Sequence, residues 1–185
     1  MEQLYSLSAA VTKNTYTTEA AFSGVLGTNT VCKLSGGYFS SDNPNPVGRS
    51  LYLRCKGTIA TTSAATIAVN LGLDPTAGTK ANAVGVMAAT APVAAITAPF
   101  DFEAWYTCTA FATSTFSLQV NGYWKMESVA SGGVASAAAL NAGFSGLITG
   151  MDPRVDNYIE LFGTWSASAA GNTTTLQQMF LFGLN

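Results

Sequence analysis

The 185 residues match one domain in length, since two would each be left with a marginal core. Nearly half the chain is hydrophobic (48%) and 11% is aromatic, but only 10% is charged, against about 25% in an ordinary soluble domain. Eight Lys and Arg against ten Asp and Glu leave a formal net charge of −2, which offers no electrostatic footprint for a nucleic-acid backbone or an anionic membrane.

Histidine is absent, so Ser-His-Asp and Cys-His catalysis, His-containing zinc sites and histidine pH switching are all excluded. Apolar runs are interrupted by Thr, Ser, Asn or a charge before reaching the roughly 18 residues a membrane helix needs. Met1-Glu2-Gln3-Leu4 lacks a basic start and an apolar core, so no secretory leader is expected. Cys32, Cys55 and Cys108 are an odd number without CxxC spacing, and each shares strand phase with apolar neighbours. They are read as buried thiols acting as small hydrophobes, in a chain that folds in a reducing compartment such as a bacterial cytoplasm.

With 29 Ala and 23 Thr, and Gly and Ser between alternating runs, the chain reads as all-β. Residues 1–18 are polar and Thr-rich with Leu4, Tyr5 and Leu7 at the front, an extended N-terminal arm expected to dock elsewhere. A sandwich domain is expected over 19–185. Short strands are expected over Ala21–Leu26 and Thr30–Leu34, and an irregular stretch over Gly36–Gly48, with Pro44 and Pro46. Ser50–Thr58 alternates Leu51, Leu53 and Cys55 with Tyr52, Arg54 and Lys56, the period-2 signature of a half-buried strand. Thr66–Leu73 repeats it until Asp74-Pro75 breaks it, and the two are expected to form a hairpin.

Val84–Ala89 is a further expected strand. Phe100–Ala110 sets Phe100, Phe102, Ala104, Tyr106 and Cys108 against Asp101, Glu103, Trp105, Thr107 and Thr109. Phe116–Glu127 contains Asn121-Gly122, ordinarily a hairpin turn. A turn there would oppose Leu118 to Lys125 and Phe116 to Glu127, so one long strand is expected, with Gly122 marking a bulge or a close approach. Ala130–Pro153 reads as irregular, its Ala-rich centre compatible with a helical turn. Loops of this length usually bind something or are ordered by a neighbour. Tyr158–Trp165 and Thr173–Leu184 close the set. In the second, Leu176, Gln178, Phe180, Phe182 and Leu184 are expected to face one way and Thr175, Gln177, Met179 and Leu181 the other, so both faces are apolar toward its end, as in a central or interface strand. In all, an antiparallel β-sandwich of about eight strands is expected, with jelly-roll connectivity, although periodicity does not reveal connectivity.

Few residues carry chemistry. Asp101 and Glu103 share a strand face at roughly 7 Å, a spacing a paired-carboxylate hydrolase could use, but solvated charges that blunt aggregation are the simpler reading. Trp105 and Tyr123 are outward-facing aromatics able to stack on a sugar ring, or to pack in an oligomer contact. Asp152, Asp156 and Asn157 supply oxygens without EF-hand spacing and read as a turn, as does Asp74–Gly78. Asn172-Thr-Thr174 matches a glycosylation sequon by chance. No P-loop, GxGxxG or GxSxG pattern occurs, and no cofactor or metal is expected.

Asn157-Tyr-Ile-Glu-Leu-Phe-Gly-Thr-Trp-Ser-Ala-Ser168, with Leu176-Gln-Gln-Met-Phe-Leu-Phe-Gly-Leu-Asn185 and Gly48-Arg-Ser-Leu-Tyr-Leu-Arg54, resembles small virion proteins of tailed bacteriophages. Within them it is most similar to jelly-roll capsid decoration, or cement, proteins. The resemblance spans about a third of the chain and rests on pattern, with no catalytic signature. It implies a non-enzymatic protein on the capsid exterior, partnered by the major capsid protein lattice and by itself, as a homotrimer. Leu4, Tyr5 and Leu7 are then candidate docking residues, and Asn43, Asn45 and Arg49 candidate lattice or subunit contacts. The alternative is a trimeric tail or fibre module that binds a host-surface glycan through Trp105 or Tyr123. A shell-forming capsid protein fits less well, since no basic interior arm is evident. A small glycosidase would need Asp101 or Glu103 for activity.

Overall fold

Alternation of apolar and polar residues governs the whole computed structural model, which describes residues 1–7, 9–14, 18–22, 32–39, 46–61, 65–90, 96–126 and 140–184. Among these every regular element is a strand: β1 (Glu2–Ser6), β2 (Val11–Asn14), β3 (Ala20–Ala21), β4 (Cys32–Leu34), β5 (Ser50–Thr61), β6 (Ile67–Asp74), β7 (Ala83–Thr90), β8 (Ile96–Ala112), β9 (Thr115–Met126), β10 (Leu140–Met151), β11 (Asn157–Trp165) and β12 (Thr173–Leu184). They form two antiparallel sheets. The larger runs β1-β12-β5-β8-β9-β10, with β2 also on β12; the smaller runs β3-β11-β6-β7, with β4 also on β11. The first strand lies beside the last and sequence-distant strands pair within each sheet, an order consistent with a jelly roll to which β9 and β10 add one hairpin.

The sheets pack face to face on one core. Leu51, Leu53, Cys55 and Ile59 of β5, Phe102 and Tyr106 of β8, and Leu118 and Trp124 of β9 meet Ile67, Val69 and Leu71 of β6 and Ile159 and Trp165 of β11. Removing a chain of such side chains from water is the main favourable term in folding, worth roughly 1.5–3 kcal/mol for each large apolar residue. All three cysteines are buried and free. Burial pushes the thiols of Cys32, Cys55 and Cys108 up, so none is a ready nucleophile.

The long-strand reading of 116–127 matches β9, whose pairing with β8 and β10 runs through Asn121 and Gly122 without a turn. Gly122 is a close approach, not a bulge. A Cβ there would lie 2.2 Å from the Glu103 carbonyl oxygen and 2.6 Å from the Phe144 ring, which covers the glycine and stacks on Phe102 with centroids 5.5 Å apart. Gly57 repeats the device, directly opposite Phe100, whose ring would lie 2.6 Å from an added Cβ. A glycine under a cross-strand aromatic closes the sheet where two side chains would not fit.

Three expectations are corrected. β5 and β6 are not a hairpin: β5 pairs with β12 and β8, β6 with β11 and β7, so the chain crosses between sheets after Thr61. Alternation reports that a face is buried, not which strand lies beside it. The C-terminal half of the stretch read as irregular, Ala130–Pro153, is β10; its alternation is muted because Gly143, Gly146 and Gly150 contribute no side chain. In β12 a register shift between Leu176 and Gln178 turns Met179 and Leu181 to the core and Phe180, Phe182 and Leu184 outward, where an unbroken strand would keep Leu176 in phase with Phe180.

Residues 1–18, expected as an N-terminal arm, contribute β1 and β2, both hydrogen-bonded along β12 of the same chain. They cover an edge of β12 that would otherwise present unpaired backbone groups.

Candidate functional site

Strands β12, β5, β8 and β9 have a second face, turned away from the core, and register aligns its side chains into rows. Phe182, Tyr52 and Trp105 are direct cross-strand neighbours. One row along, Phe180, Arg54, Glu103 and Tyr123 stand opposite one another, and beyond them come Gln178, Lys56, Asp101 and Lys125. The rings make a continuous strip across four strands. Centroids lie 6.1 Å apart for Tyr52 and Phe182, 5.2 Å for Tyr52 and Trp105, and 6.2 Å for Trp105 and Tyr123. Trp105 and Tyr123 retain 37% and 41% exposure. These two sequence-singled aromatics are thus together on one open face.

Charges interleave with the rings. Arg54 contacts Asp101 at 3.2 Å and Glu103 at 3.6 Å, and Lys56 reaches Asp101 at 3.4 Å. Glu103 stands directly opposite both Arg54 and Tyr123, with its carboxylate near the Tyr52 and Tyr123 phenols. Partial burial, and then that carboxylate, push the Tyr52 phenol up to about 12 and raise that of Tyr123. Asp101 and Glu103 therefore occupy an ion-pair and hydrogen-bond network. Such a network accounts for two carboxylates on one face of a strand.

The face is concave beside β12. A groove of roughly 480 Å³ is bordered by Met1 and Gln3 on one side and by Tyr52, Arg54 and Lys56 on the other, with Gln178, Phe180 and Phe182 as its floor. The β12 bulge leaves both Gln177 and Gln178 exposed at its end. Sequence reading missed this groove, because the bulge that presents two adjacent glutamines on one side breaks the period on which face assignment rests.

Other candidate residues lie elsewhere. Leu4, Tyr5 and Leu7 pack half-buried against the core. Burial, with Cys32 and Cys55 nearby, raises the Tyr5 phenol, and the Leu7 amide donates to the Met179 carbonyl at 2.9 Å. Arg49 is held within the chain: its guanidinium donates to the Tyr38 carbonyl and lies 4.5 Å over the Tyr38 ring. Asn43 and Asn45 fall outside the described residues.

The remaining polar motifs are structural. Asp152 binds Arg154, and Asp156 binds Lys33 and the Gly36 amide, so these carboxylates serve separate turn contacts. Asn172 is fully buried, accepting from Thr61 and donating to the Ala167 carbonyl, unlike a glycosylation acceptor. Asp74 organises the β6–β7 loop. Burial alone would raise its carboxyl, but the neighbouring Thr79 hydroxyl and hydrogen bonds from the Thr76 and Ala81 amides hold it below the usual carboxylate value. No group of three or more metal-ligating side chains occurs among the described residues. No helix there is long and apolar enough to cross a membrane.

No protein-family model matches the chain, and no curated protein sequence matches it beyond chance.

Proposed function

We propose that the chain is a non-enzymatic virion protein of a tailed bacteriophage, seated on the outside of the assembled head, where it binds the capsid lattice and stabilises it. The observation that carries this reading is the edge formed by β10. Its twelve residues include no Lys, Arg, Asp or Glu, Leu147 is 57% exposed, and no described strand pairs along its second side. Freely diffusing proteins blunt such edges with charge, proline or a bulge, and here the one register shift comes only after Ile148. Neighbouring virion subunits would cover it. The low overall charge, the sandwich fold and the resemblance of residues 48–54, 157–168 and 176–185 to decoration proteins support the same reading.

Homotrimers with closed symmetry are the expected form. A protein that binds only the assembled shell stabilises it by mass action, and many repeated sites turn modest contacts into firm reinforcement. A second reading, a trimeric tail or fibre module that binds a host-surface glycan, is favoured by the open Trp105 and Tyr123 rings.

Immunogold electron microscopy of particles of the encoding phage, with antibody to this chain, tests the assignment. Label over the head supports decoration, label on the tail supports the second reading, and unlabelled particles overturn both. Sedimentation equilibrium adds the copy number, expected at three times the 19.1 kDa chain mass.

A further inference from the structure

We infer that the outer face of the large sheet is a saccharide-binding surface, with a bacterial surface polysaccharide as its ligand. The inference deepens the glycan reading given above, from which the bacterial source of the ligand is taken, while the saccharide chemistry is argued from this face.

The chemistry of the face selects its occupant. A protein partner, including a second copy of this chain, would bury the aromatic strip dry. It would also have to desolvate the network of Arg54, Lys56, Asp101 and Glu103, whose side chains keep 40%, 44%, 31% and 14% exposure. Removing paired charges from water costs about as much as their attraction returns, and interface cores are accordingly depleted of charge. A saccharide imposes no such cost. It is a wet ligand, whose hydroxyls can replace water around the carboxylates and cations while its C–H faces lie on aromatic rings.

The geometry fits an extended chain of sugars more closely than a single ring. The aromatic strip passes from Phe182 through Tyr52 and Trp105 to Tyr123, with neighbouring centroids 5.2–6.2 Å apart, so contacts repeat across the sheet. Tyr52 and Trp105 are tilted by 35°, and Trp105 and Tyr123 by 39°, which leaves part of each ring open instead of sealed against its neighbour. Beside the strip the groove offers the Gln178 amide, able to donate and accept at once, as sugar hydroxyls require. Asp101 is already held by Arg54 and Lys56, and Glu103 by Arg54, so the charged part of the surface is ordered before ligand arrives. Pre-organisation of this kind lowers the entropic cost of binding.

The test is an array of immobilised bacterial surface polysaccharides, neutral and acidic, probed with the intact chain and with Trp105→Ala, Trp105→Phe, Gln178→Ala and, as a control remote from the face, Val155→Ala. Thermal melts establish that each variant is folded. The expected result is binding to at least one polysaccharide. It should weaken about tenfold in Trp105→Ala and be largely rescued in Trp105→Phe; Gln178→Ala should weaken it and Val155→Ala leave it unchanged. Absence of binding across the array overturns the inference, as does binding that Trp105→Ala leaves intact. A Trp105→Ala variant that alters sedimentation without any polysaccharide binding would assign the face to a second copy instead.

Discussion

Tyr123 and Trp124 are adjacent in β9, yet one is 41% exposed and the other fully buried, and they belong to two surfaces with different physics. Trp124 stacks on Phe100 with centroids 4.5 Å apart and tilts against Phe102; its indole N–H has no hydrogen-bond partner among the described residues. Its place is set by shape. Tyr123 stands beside Trp105 and directly opposite Glu103, within a network of half-exposed charges. Its place is set by polar partners and leaves room for a ligand. Substitutions inward should therefore cost stability, whereas substitutions outward should cost binding.

The sharpest break between the faces is expected at this pair. Trp124→Ala should destabilise the fold by about 3–5 kcal/mol in urea unfolding, through lost burial and the cavity left behind. Tyr123→Ala should cost less than about 1 kcal/mol. Equal losses would mean that the outer face is as tightly packed as the core.

Next in size, Gly122→Ala should cost about 1–3 kcal/mol, since the new methyl meets a backbone carbonyl and the Phe144 ring together. A neutral result would show that β8 and β10 part more easily than their register implies.

Asp74 extends the comparison to a buried polar group. Because its folded carboxyl lies below the ordinary value, its contribution is complete above the unfolded pKa near 4 and is lost as pH falls through the lower folded value. Asp74→Asn should cost about 1–2 kcal/mol at neutral pH and flatten the loss of stability in acid, as read from thermal melts between pH 6 and 2. A variant that matches the original pH profile would remove Asp74 from the account.

The smallest effect belongs to the outer ion pairs. Arg54→Ala should cost under about 1 kcal/mol, less again in high salt, because its partners are partly solvated. A larger, salt-independent loss would mean that the network helps to hold the sheet together.

Legibility in the sequence followed side-chain size. β5 and β9 were readable because large apolar residues alternate with polar ones over eight or more positions, as in Leu51, Leu53 and Cys55 against Tyr52, Arg54 and Lys56. In β10 the same alternation is present, with Phe144 and Ile148 inward of Ser145 and Leu147, but its glycines hide the period. Of the candidate surface, Trp105 and Tyr123 could be placed outward by phase. Their junction with Tyr52 and Phe182 could not, because it depends on the register of β5 against β8 and of β12 against β5. The β12 bulge defeated phase altogether: one extra residue at Gln177 reverses the facing of everything after it.

Composition and period alone determined that the chain is all-β, that its cysteines lie in the core, that histidine chemistry is excluded and that Asn121-Gly122 is not a turn. Each follows from residue type or from local alternation, which hydrophobic burial enforces on every strand. Only tertiary structure decided that β5 and β6 part into different sheets, that β1 and β2 return to cover β12, and that aromatic and charged residues from four strands share one face. Pairing joins strands far apart in the chain through backbone groups that every residue carries, so partner and register emerge only when both sheets close on a common core.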